Sequence, residues 1–388
     1  MDIYGRCDTT KDCDDGSDED ECSLIDVPAN YDKSAAPKHT NGEELTANEI
    51  FLQVKIINFD FIDALSNTVG LTVELKFNWV DPKVDFENAK DVNDKSEELR
   101  IVPQFQKDKI WLPIQELVFD NAVIGEIVKE DVYILEVNIK SAANTRSVND
   151  PKESLVYPGA KNPLHLSQKL KISFRCNFFV QNFPFDKDEC QFYLSLPRLG
   201  NNTIVLREAE EYIIYKGQLI LNEFQINSLK SMTEDSPRKT SFILAVQFQR
   251  LYQQHLISTF LQSFLLWFLS YLTFFIDIED FSNRFMGAIT SLLVLASLLG
   301  AMQASLPKTA YFKIIDIWFN WFLGNIFIII LFHIILDYLY REDGKVVPIG
   351  HQKIWNVSNC LHNIFKIIVL IINLTFVIIY FSFSIFIF

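Results

Sequence analysis

At 388 residues, 49% of them hydrophobic, the chain is too long and too apolar for one ordinary soluble domain, and its 34 phenylalanines need a place away from water. A formal net charge of −14 argues against a nucleic-acid-binding protein and for a surface that attracts cations. The two properties are segregated: acidic side chains concentrate in residues 1–250, whereas Leu, Ile and Phe dominate after Arg250, so a soluble half is joined to a membrane half.

The first 22 residues are polar and carry no apolar leader segment. Yet Cys7, Cys13, Cys22, Cys176 and Cys190 all precede the first apolar span, a distribution typical of oxidised extracellular segments, so a start upstream of Met1 is expected. Residues 7–22 read CDTTKDCDDGSDEDEC and resemble the second half of a low-density-lipoprotein-receptor class A repeat. That resemblance implies one calcium ion, a hard cation wanting oxygen ligands from a disulfide-pinned turn. Asp8, Asp12, Asp18 and Glu19 would supply side-chain oxygens and Gly5 and Thr10 backbone carbonyls. Cys7 is free to pair with Cys22, while Cys13 lacks its usual upstream partner. An acidic tail without a bound ion is the other reading.

Residues 23–48 show no apolar periodicity and read as a linker. From residue 49 to 254 the pattern is that of strands. FLQVKII from Phe51, LTVELKFNW from Leu71, VYILEVNI from Val132 and LAVQF from Leu244 alternate with period two, with no long amphipathic helix between them. This predicts an all-β, immunoglobulin-like sandwich. Four apolar windows then reach the ~20 residues that a helix needs to cross a ~30 Å hydrocarbon core. They predict an all-α bundle of four transmembrane helices in residues 255–388, over about 255–276, 285–304, 314–340 and 364–388, with a short cytosolic connection at 341–363.

The most specific signal is CNFFVQNFPFDKDEC, from Cys176 to Cys190, with Phe183-Pro184-Phe185-Asp186 inside. With four downstream spans it resembles the signature loop of the Cys-loop receptors, the pentameric ligand-gated ion channels. Other matches extend the resemblance over nearly all of residues 50–388. They are Trp79-x-Asp81, Trp111-x-Pro113 followed by Phe119-Asp120-Asn121-Ala122, Arg250 before the first span, and Ser305-Leu306-Pro307-Lys308 with Ile315-Asp316-Ile317-Trp318 after the second. The resemblance implies a Cys176–Cys190 disulfide, which stiffens the loop. It also implies a junction at which Phe183, Pro184, Phe185 and Asp186 meet Arg250, Pro307 and Lys308 to couple sensor to pore. Four homologous or identical subunits would complete the ring in the lipid bilayer.

The register set by Arg284 and Pro307 implies a pore-lining stripe of Met286, Thr290, Leu293, Ser297, Gly300 or Ala301, and Ala304, with Arg284 forming a positive ring at its inner end. Leu293, mid-stripe, is placed to shut the pore by dewetting. Ser282-Asn283 stands where cation-selective relatives have a glutamate and many anion-selective ones Pro-Ala. Because Arg284 is the sole charge between Phe281 and Ser305, chloride is the expected permeant ion, with Glu279 and Asp280 pulling toward cations. The aromatic box of amine-gated relatives is incomplete. Phe119 remains, Glu74 and Pro197 stand at aromatic positions, and Ser228–Thr240 has neither an aromatic nor adjacent cysteines. A proton, a metal ion or a small polar ligand is therefore expected as agonist, with Glu74 as a candidate contact or else a solvated strand residue. Asn201-Asn-Thr203 is a glycosylation sequon in the sandwich. No His, Cys or acid pair recurs with catalytic or zinc spacing, which argues against an enzyme. An electrically silent subunit and a calcium-dependent cell-surface receptor are the rival readings.

Overall fold

The computed structural model describes residues 14–15, 23–41, 44–87, 98–129, 133–140, 144–145, 155–197, 204–343 and 351–386. Two β-sheets face each other across one apolar core. The larger contains β1 (Asn48–Asp63), β2 (Thr68–Trp79), β3 (Glu98–Ile101), β5 (Ala122–Lys129), β6 (Ile134–Ile139), β7 (Leu164–Arg175) and β9 (Ile204–Tyr215), in the order β9-β1-β2-β7-β6-β3 with β5 also on β7. The smaller contains β4 (Val118–Phe119), β8 (Lys187–Pro197), β10 (Phe224–Asp235) and β11 (Lys239–Arg250), in the order β10-β11-β8-β4. Pairing is antiparallel except between β9 and β1. Alternation decides the inward face: Leu71, Val73, Leu75, Phe77 and Trp79 of β2 are buried, as are Phe192, Leu194 and Leu196 of β8. The layers interlock through Phe174 against Phe192 at 4.9 Å and Phe59 against Phe248 at 5.5 Å.

Within residues 23–48, expected to be a linker, the stretch from Leu24 to Tyr31 is held against the sandwich. Ile25–Asp26 pairs with Asp85–Glu87, and the Leu24 and Ile25 amides donate to Gln106 Oε1 at 2.9 and 3.1 Å. Tyr31 donates to Asp81 Oδ2 at 2.7 Å and accepts from the Trp111 amide at 3.0 Å. Isolated anchors such as Ile25 and Tyr31 hold this segment, and isolated anchors leave no periodicity to read.

Four helices, α1 (Gln253–Phe275), α2 (Phe281–Ala304), α3 (Ile314–Asp343) and α4 (His351–Phe386), are each long and apolar enough to cross a membrane. Within α1, Leu256–Leu261 forms a π-turn, a widened helical turn. Trp318 centres the bundle, 4.9 Å from Phe260, 4.8 Å from Phe322 and 4.9 Å from Tyr380, and its indole donates to Ser263 Oγ at 2.7 Å. Trp321 and Asn325 of α3 both hydrogen bond Asn373 of α4 at 3.0 Å, tying two helices where water cannot compete. The expected cytosolic connection at 341–363 is largely helical, since α3 runs on to Asp343 and α4 begins at His351. Arg341 pairs with Asp337 one turn back at 2.9 Å, which supports the end of α3.

Candidate gating junction, pore face and ligand surface

Cys176 and Cys190 are disulfide-bonded, closing the loop that leads into β8. At its exit Asp186 accepts from Arg250 Nε at 2.9 and 3.1 Å, and both side chains are almost wholly buried. The guanidinium lies 5.0 Å from the Phe183 ring and 4.5 Å from the Phe224 ring, with Glu223 at 3.8 Å from Nη1. Removing either ion of a buried pair strands the other, so this contact fixes the loop against the end of β11 rather than adding net stability. Beyond it the loop's apolar tip leaves the sandwich. Val180, Phe183 and Phe185 join the core of the helix bundle with Phe260, Leu306 and Trp318. Phe183 packs 4.8 Å from His255, and Phe185 lies 5.3 Å from Tyr252. Pro184, between them, carries the turn.

Two junction residues stand apart from this arrangement. Pro307 is half-buried and Lys308 exposed; they line a shallow cavity with Tyr311, Phe312 and Asp316, and Lys308 does not join the Asp186–Arg250 pair. The residue that reaches the core from this connection is Leu306. Sequence reasoning also missed Asp188. Its Oδ1 accepts the Phe179 amide at 3.0 Å, and its Oδ2 is buried without a partner. Burial pushes its carboxyl up to about 6; Asp186 adds to the rise, and the Phe179 amide and Arg250 oppose it. The strand's alternation from Cys190 places Asp188 inward, and that was the available signal.

On α2 the stripe Met286, Thr290, Leu293, Ser297, Ala301 and Ala304 is exposed, while Ala288, Ser291 and Leu295 are buried against the bundle. Thr290 and Ser297 hydroxyls fold back onto the carbonyls of Met286 and Leu293 at 2.7 and 3.0 Å. Arg284 departs from expectation. It is 2% exposed and shares the buried stripe, because two residues at about 100° each set it on the far side of the helix from Met286. Asp280 caps α2 through the Asn283 amide at 3.3 Å, and Glu279 accepts from Tyr340 at 2.9 Å, so both carboxylates near the inner end are engaged.

Glu74 and Phe119 lie on different sheets, and one chain does not bring them together. Glu74 accepts from Lys55 at 2.7 Å and from Ser167 at 2.8 Å. Burial raises its carboxyl, but those two hydrogen bonds and the Lys55 and Lys76 charges outweigh it and hold the group below the usual carboxylate range. Phe119 packs 6.2 Å from Phe174, and the neighbouring Asp120 Oδ2 accepts from Lys239 and Ser195, each at 2.7 Å. Cys7, Cys22, Asp8, Asp12, Asp18, Glu19 and Asn201 lie outside the described residues. Among the described residues no group of three or more His, Cys, Asp or Glu side chains is placed to hold a metal.

Comparison with known proteins places the sandwich. Residues 23–254 match the family described as the neurotransmitter-gated ion-channel ligand binding domain. The chain is 19% identical over 314 residues to an acetylcholine-gated chloride channel subunit of Caenorhabditis elegans, covering 79% of this chain and 64% of that protein. It is 23% identical over 304 residues to a gamma-aminobutyric acid receptor subunit beta of Lymnaea stagnalis, 75% of this chain and 56% of that protein. It is 20% identical over 299 residues to the human gamma-aminobutyric acid receptor subunit rho-2, 74% and 58%. The chain thus spans less than two-thirds of the length of these relatives.

Proposed function

Because this chain belongs to the neurotransmitter-gated ion-channel ligand-binding-domain family, we propose that it is one subunit of a pentameric ligand-gated ion channel of the plasma membrane, opened by a small extracellular ligand. The observation that carries this reading is the disulfide-closed loop whose base is pinned by the buried Asp186–Arg250 pair and whose Phe183 and Phe185 are packed in the helix bundle. Motion of the sandwich is thereby transmitted to α1 and to Leu306, which follows α2. Five copies related by rotation bring five α2 faces around one axis, and the stripe centred on Leu293 lines the path.

The permeant ion is chloride. The stripe carries no carboxylate, Glu279 and Asp280 are engaged at its inner end, and the relatives include acetylcholine-gated chloride channel subunits. The agonist is a small polar molecule, a proton or a metal ion rather than a bulky amine, since Glu74 with Lys55 and Ser167 stands where an aromatic wall would be. The acidic segment 7–22 is read, on its sequence alone, as a calcium-holding appendage. Expression in a cell without endogenous channels, with current recorded during application of acetylcholine, gamma-aminobutyric acid, acid and zinc, tests the reading. A current whose reversal potential follows the chloride gradient is the expected result. Surface protein that passes no current under any of these, alone or with a homologous subunit, would overturn it.

A further inference from the structure

A polar cluster lies buried among α1, α2, α3 and α4 that the channel reading does not use. Arg284 is 2% exposed, and no carboxylate pairs with it among the described residues. A guanidinium without a counter-charge inside an apolar bundle is costly, so hydrogen-bond acceptors must hold it there. Two imidazoles are positioned to do so. His362 of α4 has Nε2 2.9 Å from the Phe274 carbonyl. A carbonyl only accepts, so Nε2 carries the proton, and Nδ1, 3.4 Å from Arg284 Nη2, presents its lone pair to the guanidinium.

His333 of α3 repeats the pattern. Its Nε2 is 2.7 Å from Thr273 Oγ1, whose own proton goes to the Ser270 carbonyl at 2.6 Å. Nε2 therefore donates, and Nδ1 is again a bare acceptor. That Nδ1 is buried without a partner, and so is Arg284 Nε. The Phe274 ring lies against both imidazoles, 5.0 Å from His333 and 5.6 Å from His362, so the two histidines flank one aromatic ring. The two hydrogen-bond sets thus fix both rings in the same tautomer, with the His362 lone pair 3.4 Å from the guanidinium and the His333 lone pair buried without a partner.

We propose that His362, with His333 beside it, is a positioning residue for Arg284, holding the guanidinium inside the subunit and away from the permeation path. The charge at the inner mouth is then set by whether this latch holds. Helix geometry sets the Arg284 backbone on the buried face of α2, and the latch sets where its long side chain ends: closed, the stripe from Met286 to Ala304 is uncharged; open, the guanidinium reaches past the inner end of α2 to the water at the mouth, where five of them concentrate chloride. The consequence for conduction rests on the reading of the α2 stripe as the pore, whereas the latch itself does not.

The test uses the full-length chain in membranes and two variants. His362→Phe keeps a ring against Phe274 and Phe332 and removes the acceptor. His362→Asn sets an acceptor where Nδ1 stood. Phenylglyoxal modification of Arg284, mapped by peptide mass spectrometry and normalised to exposed Arg341, is expected to rise several-fold in His362→Phe and to return toward wild type in His362→Asn. Single-channel chloride conductance at low internal salt is expected to rise in His362→Phe alone. Should His362→Phe fail to fold, His333→Phe is expected to deprotect Arg284 in the same sense. Equal modification of Arg284 in wild type and the Phe variants would overturn the latch whatever the channel conducts. Deprotection without any change in conductance would instead overturn the pore reading and leave the positioning role standing.

Discussion

The Asp188 carboxyl, raised to about 6 chiefly by burial, binds its proton more tightly in the folded chain than in the unfolded one. Its contribution to stability is therefore full below the ordinary carboxylate pKa and is lost as pH rises through 6. Asp188→Asn, neutral at every pH, is expected to melt higher than wild type at neutral pH, by on the order of 2 kcal/mol, with the difference vanishing toward pH 4; thermal melting of the solubilised chain checks it. Equal pH slopes for the two proteins would refute the assignment. Arg250 gives a second expectation. Lysine cannot keep the Nε contact with Asp186 while stacking between Phe183 and Phe224, so Arg250→Lys should cost about 3 kcal/mol and reduce surface protein, read by cell-surface biotinylation. The Asp186–Arg250 pairing was legible because both residues sit in recognisable motifs. Asp188 left one trace, its inward place in the alternation from Cys190, and Gln106 left none, because its importance comes from the Leu24–Ile25 segment that folds over it.

At the scale of elements, α2 shows how far periodicity carries. Its length and its two faces could be read from apolar spacing, and the structure exposes every residue of the expected stripe from Met286 to Ala304. Arg284 was assigned to that stripe by its place in the family pattern, although helical geometry puts it opposite; the positive ring was inferred from order along the chain where angle around the axis decides. Leu293→Thr wets the middle of the stripe and should produce current without agonist, measured as holding current blocked by a pore blocker. An unaltered closed state in a conducting channel would remove Leu293 from the gate. Asn283→Glu adds one carboxylate per subunit beside Asp280 and should move the reversal potential toward the sodium value, whereas a reversal potential that still tracks chloride would mean selectivity is set elsewhere. The strands and spans were legible because burial writes a period of two or an unbroken apolar run into the sequence. The segment 23–48 was not, since it is held by single anchors, and neither was the helical start of α4, where His351, Gln352, Lys353 and Asn356 interrupt the apolar run.

For the molecule as a whole, the loop tip belongs by chain to the sandwich and by packing to the bundle. Val180, Phe183 and Phe185 contribute to the same core as Phe260, Leu306 and Trp318, so the seam between the halves does not coincide with any cut in the sequence. A chimera joined after Arg250, carrying another receptor's sandwich on these four helices, would supply a foreign plug to this socket. It should reach the surface poorly, and restoring residues 180–185 of this chain within the donor loop should recover surface expression, scored by surface labelling. Equal expression of both chimeras would show that the fit at this seam is permissive. The same geometry bears on how such proteins diversify. A sandwich and a bundle that exchanged freely would share no interior, but here three side chains from one half complete the core of the other, so any replacement at Val180, Phe183 or Phe185 limits what Phe260, Leu306 and Trp318 can become.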